Sequence, residues 1–569
     1  MISFRLVSGI SLAGAYFLSS GWIPQWPSPS FLTAFTVLLG TQGLAWALWS
    51  VILYPKLFSP LRGLPEPSGN SWLMGQFFKI VALPSGLPMI EWINSIPNDG
   101  LIRYLGPFNQ ERLLITSPKA LAEVLVTKNY DFVKPEMFRY TIGSILGIGL
   151  LLAEGDEHKL QRKSLSPAFA FRHIKDLYPV FWAKAREGVD AMTDEILRAA
   201  GAGQNGLREE EEEEEEKKTG VIQAANWASR ITLDIIGVAG MGRDFDAVRN
   251  PDNRLIQVYT KVFNPNSQAR FFQILEAIIS PRLVRMLPVK RNQDIRDAAR
   301  MIRAECADLI RDKRQKIARK ESTDVDILSV AIESGGFTDE NLVDQLMTFL
   351  AAGHETTAAA MTWAVYLLAR HQDVQDRLRA EVREHLPPPA EGVPAPTSAE
   401  IDRMSYLNAV CSEVLRYFSP VPITLRTAAK DTSVAGRFVP KGTRIAIAPW
   451  AVNRCEALWG DDALAFNPDR WMSTKPGASS SEADKRTAAS GGAVSNYAFL
   501  TFLHGPRSCI GMSFARAEFA CLLATWVGRF RWELRDKELM DESKIKIKSS
   551  VTSRPADGLY IKMTVLDGW

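Results

Sequence analysis

The 569-residue chain contains only five cysteines, and no two of them form a Cys-x-x-Cys pair. This absence argues against a zinc site, a dithiol redox site and c-type haem attachment, because all three use closely spaced cysteines. An odd number of widely spread thiols fits a reducing compartment instead. The net charge is only +3, and the basic residues form no stripe with interleaved aromatics, so we expect no nucleic-acid partner.

Nucleotide-binding motifs are missing as well. The chain has no Walker sequence, and its glycine-rich run at 237–242 ends a predicted helix instead of joining a strand to a helix. We therefore expect the chain to hold no nicotinamide or flavin of its own. A hydrophobic content of 46% with 23% charged residues is ordinary for a globular protein, so composition narrows the class no further.

Charge is absent from two apolar stretches near the N-terminus, at about residues 6–23 and 31–54. The second is long enough to span a bilayer, while the first is marginal. Arg5 precedes both stretches and Lys56 and Arg62 follow them, so the positive-inside rule predicts a hairpin with both ends in the cytosol. A single span beside an interfacial or buried first helix is one alternative, and a cleaved signal peptide is another. Residues 1–62 are predicted to form this membrane anchor, and the turn-rich run at 63–69 to form a stiff linker.

From about residue 70 onward the pattern predicts a mainly α fold with small β-sheets (α+β). Helical periodicity is found at 174–200, 226–242, 294–320, 338–371, 400–418 and 510–530, and short apolar strands at 102–105, 113–116 and 443–448. Two segments interrupt this pattern. The acidic run 209–216 and the Ser/Ala/Gly-rich run 473–495 are predicted to be surface loops.

Cys509 stands in a distinctive setting, Phe502-Leu503-His504-Gly505-Pro506-Arg507-Ser508-Cys509-Ile510-Gly511. A helix predicted to begin directly after it would bring a positive helix end to the sulfur, so we expect a lowered pKa for this thiol. Gly505 and Gly511 permit a tight turn close to a flat ligand, and Arg507 is suited to bind a carboxylate on it. An ordinary buried cysteine is the alternative for any isolated thiol.

The spacing Phe-x-x-Gly-x-Arg-x-Cys-x-Gly, from Phe502 to Gly511, resembles the cysteine loop of cytochromes P450. The resemblance covers about residues 63–569 apart from the two predicted loops, and it implies a cytochrome P450-like haem-thiolate catalytic domain over that range. The implied cofactor is haem b, iron protoporphyrin IX, with Cys509 as the axial thiolate ligand. Phe502, Arg507 and Gly511 are then implied to contact the haem.

A second motif, Ala352-Gly353-His354-Glu355-Thr356-Thr357, lies in the middle of the predicted helix 338–371, which Thr338 or Asp339 can cap. The Thr356 hydroxyl can bond the carbonyl of Ala352, four residues back, and we expect this bond and the weak helix former Gly353 to open the helix locally. A buried crossing of small residues is the alternative. The hexapeptide resembles the family's oxygen-binding motif, which implies Glu355 and Thr356 as a proton-delivery pair.

Glu413 and Arg416 lie three residues apart on one predicted helix, where most such pairs are weak surface contacts. Their position upstream of Phe466-Asn467-Pro468-Asp469-Arg470-Trp471 resembles the family's Glu–Arg–Arg triad, with Arg470 as the third member. The resemblance implies a buried network that fixes the cysteine loop.

Three further residues are implied to bind the haem propionates. Arg426 follows Arg416 in an extended segment. His158 and Arg162 occupy the place where many members carry Trp-x-x-x-Arg, so this chain departs from the pattern by having His in place of Trp.

The resemblance implies a monooxygenase that inserts one atom of O2 into a lipophilic small molecule. Electrons would come from NADPH through a separate NADPH–cytochrome P450 reductase, with cytochrome b5 as a further candidate donor and Lys159, Arg162 and Lys163 as a docking face. The implied location is the endoplasmic reticulum membrane with the catalytic domain facing the cytosol. The overall pattern favours a fungal tailoring or detoxifying enzyme of secondary metabolism. Open alternatives are an isomerase or dehydratase of this fold that acts on peroxides without O2 or a reductase, a non-catalytic haem-binding sensor, and a chain that has lost activity.

Overall fold

The structure is a computed structural model that describes residues 4–20, 29–201, 217–252, 272, 275, 281–319, 321, 326–388, 392–472, 490–549 and 551–569. Its α-helices, α1 to α20 in chain order, are Phe4–Ser19, Phe31–Ala47, Phe77–Ala82, Leu87–Ser95, Pro118–Ala122, Glu136–Leu146, Gly155–Leu165, Phe171–Ile174, Tyr178–Gly201, Ala224–Ile235, Pro281–Met286, Lys290–Ala318, Ile327–Glu333, Asp339–Arg370, Gln372–His385, Ser398–Arg403, Ser405–Tyr417, Pro449–Val452, Glu456–Trp459 and Met512–Arg529. The strands, β1 to β12, are Leu101–Leu105, Glu111–Ile115, Phe132–Val133, Thr219–Gln223, Thr424–Ala428, Thr432–Val434, Arg437–Val439, Arg444–Ile447, Phe530–Leu534, Ile547–Ser549, Ser553–Pro555 and Tyr560–Val565.

The predicted mainly α fold with small sheets is confirmed, and the predicted helices and strands appear with boundaries shifted by a few residues. The 400–418 helix differs, because it is divided into α16 and α17 at Met404. Its division has a physical cause in the neighbouring helix α15. The Glu381 carboxylate accepts the N–H groups of Tyr406 (2.8 Å) and Leu407 (2.7 Å), so a new helix N-terminus begins there. The predicted loop 209–216 and residues 473–489 of the predicted loop 473–495 lie outside the described residues, while residues 490–495 contain no helix or strand.

The largest sheet has the strand order β1-β2-β8-β5-β3. Strands β2 and β8 pair in parallel, with Arg112 opposite Arg444, while the other pairs are antiparallel. A second sheet, β4-β12-β9, packs beside α9, and the pairs β6-β7 and β10-β11 form two-stranded ribbons. The sheets therefore flank a helical body and do not form its centre.

Helix α14 crosses the middle of that body over 32 residues. Thr338 caps it, since its side chain accepts the N–H of Asn341 at 3.2 Å. The helix packs against α10, α12 and α20, and its second half is buried from Thr357 to Ala369. Trp363 stacks on Phe418 with ring centroids 3.9 Å apart, which joins α14 to the end of α17. The 352–357 motif therefore lies in the core of the fold.

Near the N-terminus, the helix Phe31–Phe58 is the one helix among the described residues that is long and apolar enough to cross a membrane. It consists of α2 and a wider, π-type continuation over Leu48–Phe58. Helix α1 packs along α2, where the Ser11 hydroxyl donates to Gln42 Oε1 at 3.2 Å. The far end is fixed to the first sheet, because Arg103 donates to the carbonyl of Pro55 at 2.6 Å and Asn109 donates to that of Val51 at 3.0 Å.

Candidate functional site

The cysteine loop closes on itself through a hydrogen bond from the Cys509 N–H to the carbonyl of Phe502, at 2.9 Å. Leu503 and Gly505 both adopt positive φ, 56° and 77°, inside this loop. Only Gly505 also lies against another backbone, because a Cβ there would collide with the carbonyl oxygen of Leu125. Glycine is therefore required at 505 by both conformation and space.

Helix α20 begins at Met512, so Cys509 lies just before its N-terminus as predicted. The expected lowering of the thiol pKa is wrong. Burial raises the pKa of Cys509, and the opposing effects of the Gly511 N–H and of Arg162 are smaller. The surrounding protein atoms desolvate the Cys509 thiol although the residue keeps solvent-accessible surface, unlike the other four cysteines, which are buried. A coordinated metal cation deprotonates a thiol outright, so a ligand role does not require a low intrinsic pKa.

On α14 the Thr356 hydroxyl donates to the carbonyl of Ala352 at 2.8 Å, which is the bond the sequence predicted. The predicted local opening of the helix is absent, since α14 runs as a regular helix from Asp339 to Arg370. Gly353 has a packing role instead. A Cβ there would lie 2.7 Å from the Cγ1 atom of Ile236, so the missing side chain lets the segment after α10 approach α14 closely.

One stripe of this buried helix is accessible. Ala352 is exposed and Glu355 and Thr356 are partly buried, whereas His354 and Thr357 are buried. Burial raises the pKa of Glu355, and the neighbouring Arg554 and the Thr552 hydroxyl oppose that rise. The stripe therefore presents a carboxyl that retains a proton more readily than an exposed one, next to a hydroxyl.

Phe169 connects the stripe's helix with the cysteine loop. Its ring lies 3.8 Å from the position a Cβ would take on Gly511, and it packs edge-on against Phe349 of α14 with centroids 5.6 Å apart. The two motifs, more than 140 residues apart in the sequence, are therefore brought together around one aromatic ring.

The residues Glu413, Arg416 and Arg470 come together in the core. The fully buried Glu413 carboxylate accepts two bonds from Arg416, at 2.8 and 2.7 Å, and one from Arg470, at 3.2 Å. It also accepts the indole N–H of Trp471 at 2.9 Å. The Trp471 ring packs edge-on against Phe499, 5.6 Å away, and Phe499 lies three residues before the cysteine loop. The network is thus linked through Trp471 to the chain just before that loop.

Arg507 and Arg426 lie in a cluster of cations around Glu154. Arg507 forms an ion pair with Glu154, and the Lys134 N–H donates to the same carboxylate at 2.8 Å. Burial and the nearby Arg426 lower the pKa of the Lys134 side chain to about 7, and burial and Arg507 lower that of Arg426 to about 10. Three cationic side chains thus lie around one carboxylate, and of these Arg507 forms the ion pair with it while Lys134 contacts it through its backbone N–H.

His158 and Arg162 lie at the edge of the same cluster. His158 is buried with Nδ1 3.2 Å from the Tyr130 hydroxyl, and burial together with Arg507 lowers its pKa to about 4, so it is neutral at physiological pH. Arg162 donates to the carbonyl of Ser508 and, at 3.4 Å, to its hydroxyl. Arg162 therefore contacts the cysteine loop itself.

Sequence reasoning missed Glu154, Lys134, Tyr130 and Glu518. The first three carry no recognisable spacing, because two separate segments, one with Tyr130 and Lys134 and one with Glu154, bring them to Arg507 and His158. Glu518 could have been noticed as a lone acid on the apolar helix α20. It is fully buried, and burial raises its pKa well above the ordinary value, with the Thr357 hydroxyl opposing weakly.

The site fits a haem with two propionates. The three guanidinium nitrogens of Arg507 are buried and none makes a hydrogen bond of good geometry to the described residues, despite the ion pair to Glu154. Such donors, beside Lys134 and Arg426, are suited to a dianion. A mainly α fold with this cation cluster, an accessible cysteine and an accessible stripe on a buried helix is the combination expected of a haem-binding enzyme.

Comparison with known proteins identifies the family. Residues 65–560 match the family model of cytochrome P450. The chain is 46% identical over 554 residues to cytochrome P450 monooxygenase FUM15 of Gibberella moniliformis, covering 91% of this chain and 90% of the relative. It is 45% identical to cytochrome P450 monooxygenase sphH of Aspergillus fumigatus (95% of each chain) and 42% identical to cytochrome P450 monooxygenase ALT8 of Alternaria alternata (94% of each).

The chain therefore belongs to the cytochrome P450 family and is an oxygen-incorporating oxidoreductase, a monooxygenase. Family membership also brings haem, iron and O2 as cosubstrate.

Proposed function

We propose that this monooxygenase inserts one atom of O2 into a lipophilic small molecule, with electrons delivered from NADPH by a separate membrane-bound reductase. The observation that carries the proposal is the accessible stripe on α14, where Glu355 and Thr356 lie side by side. A monooxygenase must supply protons to bound oxygen, and a protonatable carboxyl beside a hydroxyl is suited to that task. The relatives are fungal enzymes, which supports a tailoring or detoxifying role in a fungus.

The residues take the following roles in this proposal. Cys509 ligates the iron, and Arg507, Arg426 and Lys134 hold the propionates. His158 remains neutral, so it can bind a propionate only as a hydrogen-bond donor. Burial raises the pKa of Glu355, so its carboxyl holds a proton more readily than an exposed one, and Thr356, whose hydrogen is engaged by Ala352, offers its oxygen lone pairs as a hydrogen-bond acceptor. Haem iron with a thiolate ligand supplies the electron density that favours O–O cleavage.

The domain division follows the same proposal. Residues 1–62 anchor the enzyme in the endoplasmic reticulum membrane, and residues 63–569 form the catalytic domain on the cytosolic side. The packing of α1 on α2 and the Ser11–Gln42 bond support a hairpin in which both helices cross. A glycosylation sequon placed in the 24–30 connection tests this topology. Glycosylation in microsomes would place the connection in the lumen, and its absence there, with glycosylation at an N-terminal sequon, would refute the hairpin.

The decisive experiment compares two electron donors for their ability to reduce the haem. The membrane-expressed protein is reduced under carbon monoxide either with dithionite or with NADPH plus a diflavin reductase in the same vesicles. A Soret band near ~450 nm in both cases would support the thiolate assignment and the reductase partner. A band with dithionite alone would exclude that reductase and favour the peroxide isomerase or dehydratase alternative.

A variant pair then tests the roles on α14. Thr356→Ala should lower the fraction of NADPH electrons that leave as water or product and raise hydrogen peroxide release. Thr362→Ala is the matched control, because Thr362 makes the same bond to the carbonyl four residues back, at 2.7 Å, but is buried away from the stripe. Equal peroxide release from both variants would refute the role of Thr356, and a haem protein that consumes no NADPH would indicate a sensor.

A further inference from the structure

Helix α7 contacts both halves of the site through two consecutive residues. Gln161 accepts a bond from the Gln345 side-chain amide of α14 at 3.1 Å. Its neighbour Arg162 donates to the backbone carbonyl and, at 3.4 Å, the hydroxyl of Ser508, next to Cys509. One short helix therefore links the oxygen-binding helix to the cysteine loop by direct hydrogen bonds.

The link to α14 is built from buried amides. Gln345 is 1% exposed and Gln161 is 4% exposed, so neither amide can turn to bulk water. Gln345 Oε1 also accepts the N–H of Leu150 at 2.9 Å, and Gln161 Nε2 donates to the carbonyl of Ile148 at 3.3 Å. Each amide thus bonds both the other side chain and the backbone just before α7, which leaves the pair one well-defined geometry.

The segment that leads into α7 is held against α14 at a second point. The Asp344 carboxylate accepts the N–H of Ile148 at 2.7 Å and forms an ion pair with Arg303 of α12 at 2.7 Å. A Cβ on Gly147 or Gly149 would collide with Asp344. The backbone at residues 147–149 therefore lies as close to α14 as glycine allows. This contact fixes the position of the chain that leads into α7.

We propose that Gln345 and Gln161 are a positioning pair that sets the separation between α14 and the cysteine loop, and with it the width of the slot that haem occupies. The inference rests on the proposed assignment of Cys509 and the α14 stripe to the two faces of the cofactor. Both side chains of the pair are neutral amides, and Gln161 Nε2 also donates to Glu157 Oε1 at 3.2 Å.

The test uses the full-length haem protein in membranes and the variants Gln345→Leu, Gln161→Leu and the double variant. Three quantities are measured: the rate of haem transfer to apomyoglobin, the share of the carbon monoxide complex that absorbs near ~420 instead of ~450 nm, and the thermal midpoint. Each single variant should lose haem about tenfold faster, because one buried amide is left without its partner. The double variant should lose haem more slowly than the product of the two single effects predicts, since either single change already breaks the Gln345–Gln161 contact.

Gln375→Leu is the matched control. Gln375 is also fully buried, and its amide donates to the carbonyls of Leu368 and Trp532 at 3.1 and 3.0 Å. It lies on α15 and bonds neither α7 nor the cysteine loop. This variant should lower the thermal midpoint while leaving the haem transfer rate and the band ratio at wild-type values.

Two results would overturn the proposal. One is a rate of haem loss that rises in proportion to the drop in thermal midpoint, to the same degree in Gln345→Leu, Gln161→Leu and Gln375→Leu. That result would mean that the pair only stabilises the fold. The other is multiplication of the two single effects in the double variant. If Gln345→Leu does not fold, Gln345→Met is used in its place, with the same expectations. A wild-type protein without the ~450 nm band would instead refute the haem-thiolate assignment, and this inference with it.

Discussion

Removing the Glu413 carboxylate should abolish stable haem incorporation. In the structure this group accepts bonds from Arg416, Arg470 and Trp471, and additionally the N–H of Asn467 at 2.8 Å. Glu413→Ala removes the only carboxylate that contacts the fully buried Arg416, within the part of the chain the structure describes. Arg416 keeps three backbone carbonyls as acceptors, but they do not neutralise its charge.

The magnitude follows from a comparison inside the molecule. Asp156 and Lys159 form a helical pair of the same i,i+3 spacing and the same 2.7 Å N–O distance, but their side chains are 94% and 55% exposed. Glu413 and Arg416 are 0% exposed. Water screens the exposed pair, whereas a buried charge that loses its partner costs about 3–5 kcal/mol. A typical domain has only about 5–15 kcal/mol of total stability, so this loss is a large share of it.

The assay measures haem bound per polypeptide and the urea midpoint of tryptophan fluorescence in detergent. Glu413→Ala should be purified largely without haem and with a clearly lower midpoint, while Asp156→Ala should match the wild type. Glu413→Gln should be intermediate, because its amide keeps one acceptor but turns an N–H group toward guanidinium donors. Full haem content and an unchanged midpoint in Glu413→Ala would refute the argument that this network holds the cysteine loop.

Two further substitutions test other parts of the site. Glu518→Gln should stabilise the protein relative to wild type, and the gain should grow as pH rises above about 4.5. The reason is that the pKa of Glu518 is raised in the folded state, so the wild-type side chain stabilises the fold at low pH and loses that effect as pH rises. Thermal midpoints of both proteins at several pH values check this, and a difference that does not change with pH would contradict it. Gly505→Ala should reduce haem content far more than Gly442→Ala, since both positions have positive φ but only Gly505 meets a neighbouring carbonyl; equal losses would mean that strain alone matters.

The sequence predicted those parts of the site that one segment carries. The cysteine loop, the 352–357 motif and the Thr356–Ala352 bond each depend on residues a few positions apart, so spacing and side-chain chemistry suffice. The cation cluster could not be predicted in the same way. Lys134, Glu154, Arg426 and Arg507 come from four segments, and only the folded chain shows that the three cations lie around this carboxylate.

The errors have the same origin in tertiary structure. The pKa of the Cys509 thiol was expected to fall because the sequence shows a helix that begins just after it. The sequence does not show how far the surrounding protein desolvates the thiol, and this desolvation raises its pKa. Helix 400–418 is divided because Glu381, on another helix, takes two backbone N–H groups that an uninterrupted helix would use. Gly353 was interpreted as a weak point of α14, although its small size serves the approach of Ile236. In each case a distant neighbour decides what a local pattern does.

Three acidic side chains near the site differ in the direction of their pKa shifts and in their exposure, because their neighbours differ. Burial alone would raise the pKa of Glu154, but its bonds from Arg507 and the Lys134 N–H outweigh burial and lower it, so it stays ionised and balances cations. Glu518 is fully buried, and burial raises its pKa well above the ordinary value, with the Thr357 hydroxyl opposing that rise. Glu355 combines the features that proton delivery needs, because burial raises its pKa, Arg554 limits that rise, and its stripe of α14 is accessible. Of these three carboxyls, Glu355 is therefore the one that best fits the proposed proton delivery, because its pKa is raised and its stripe of α14 is accessible.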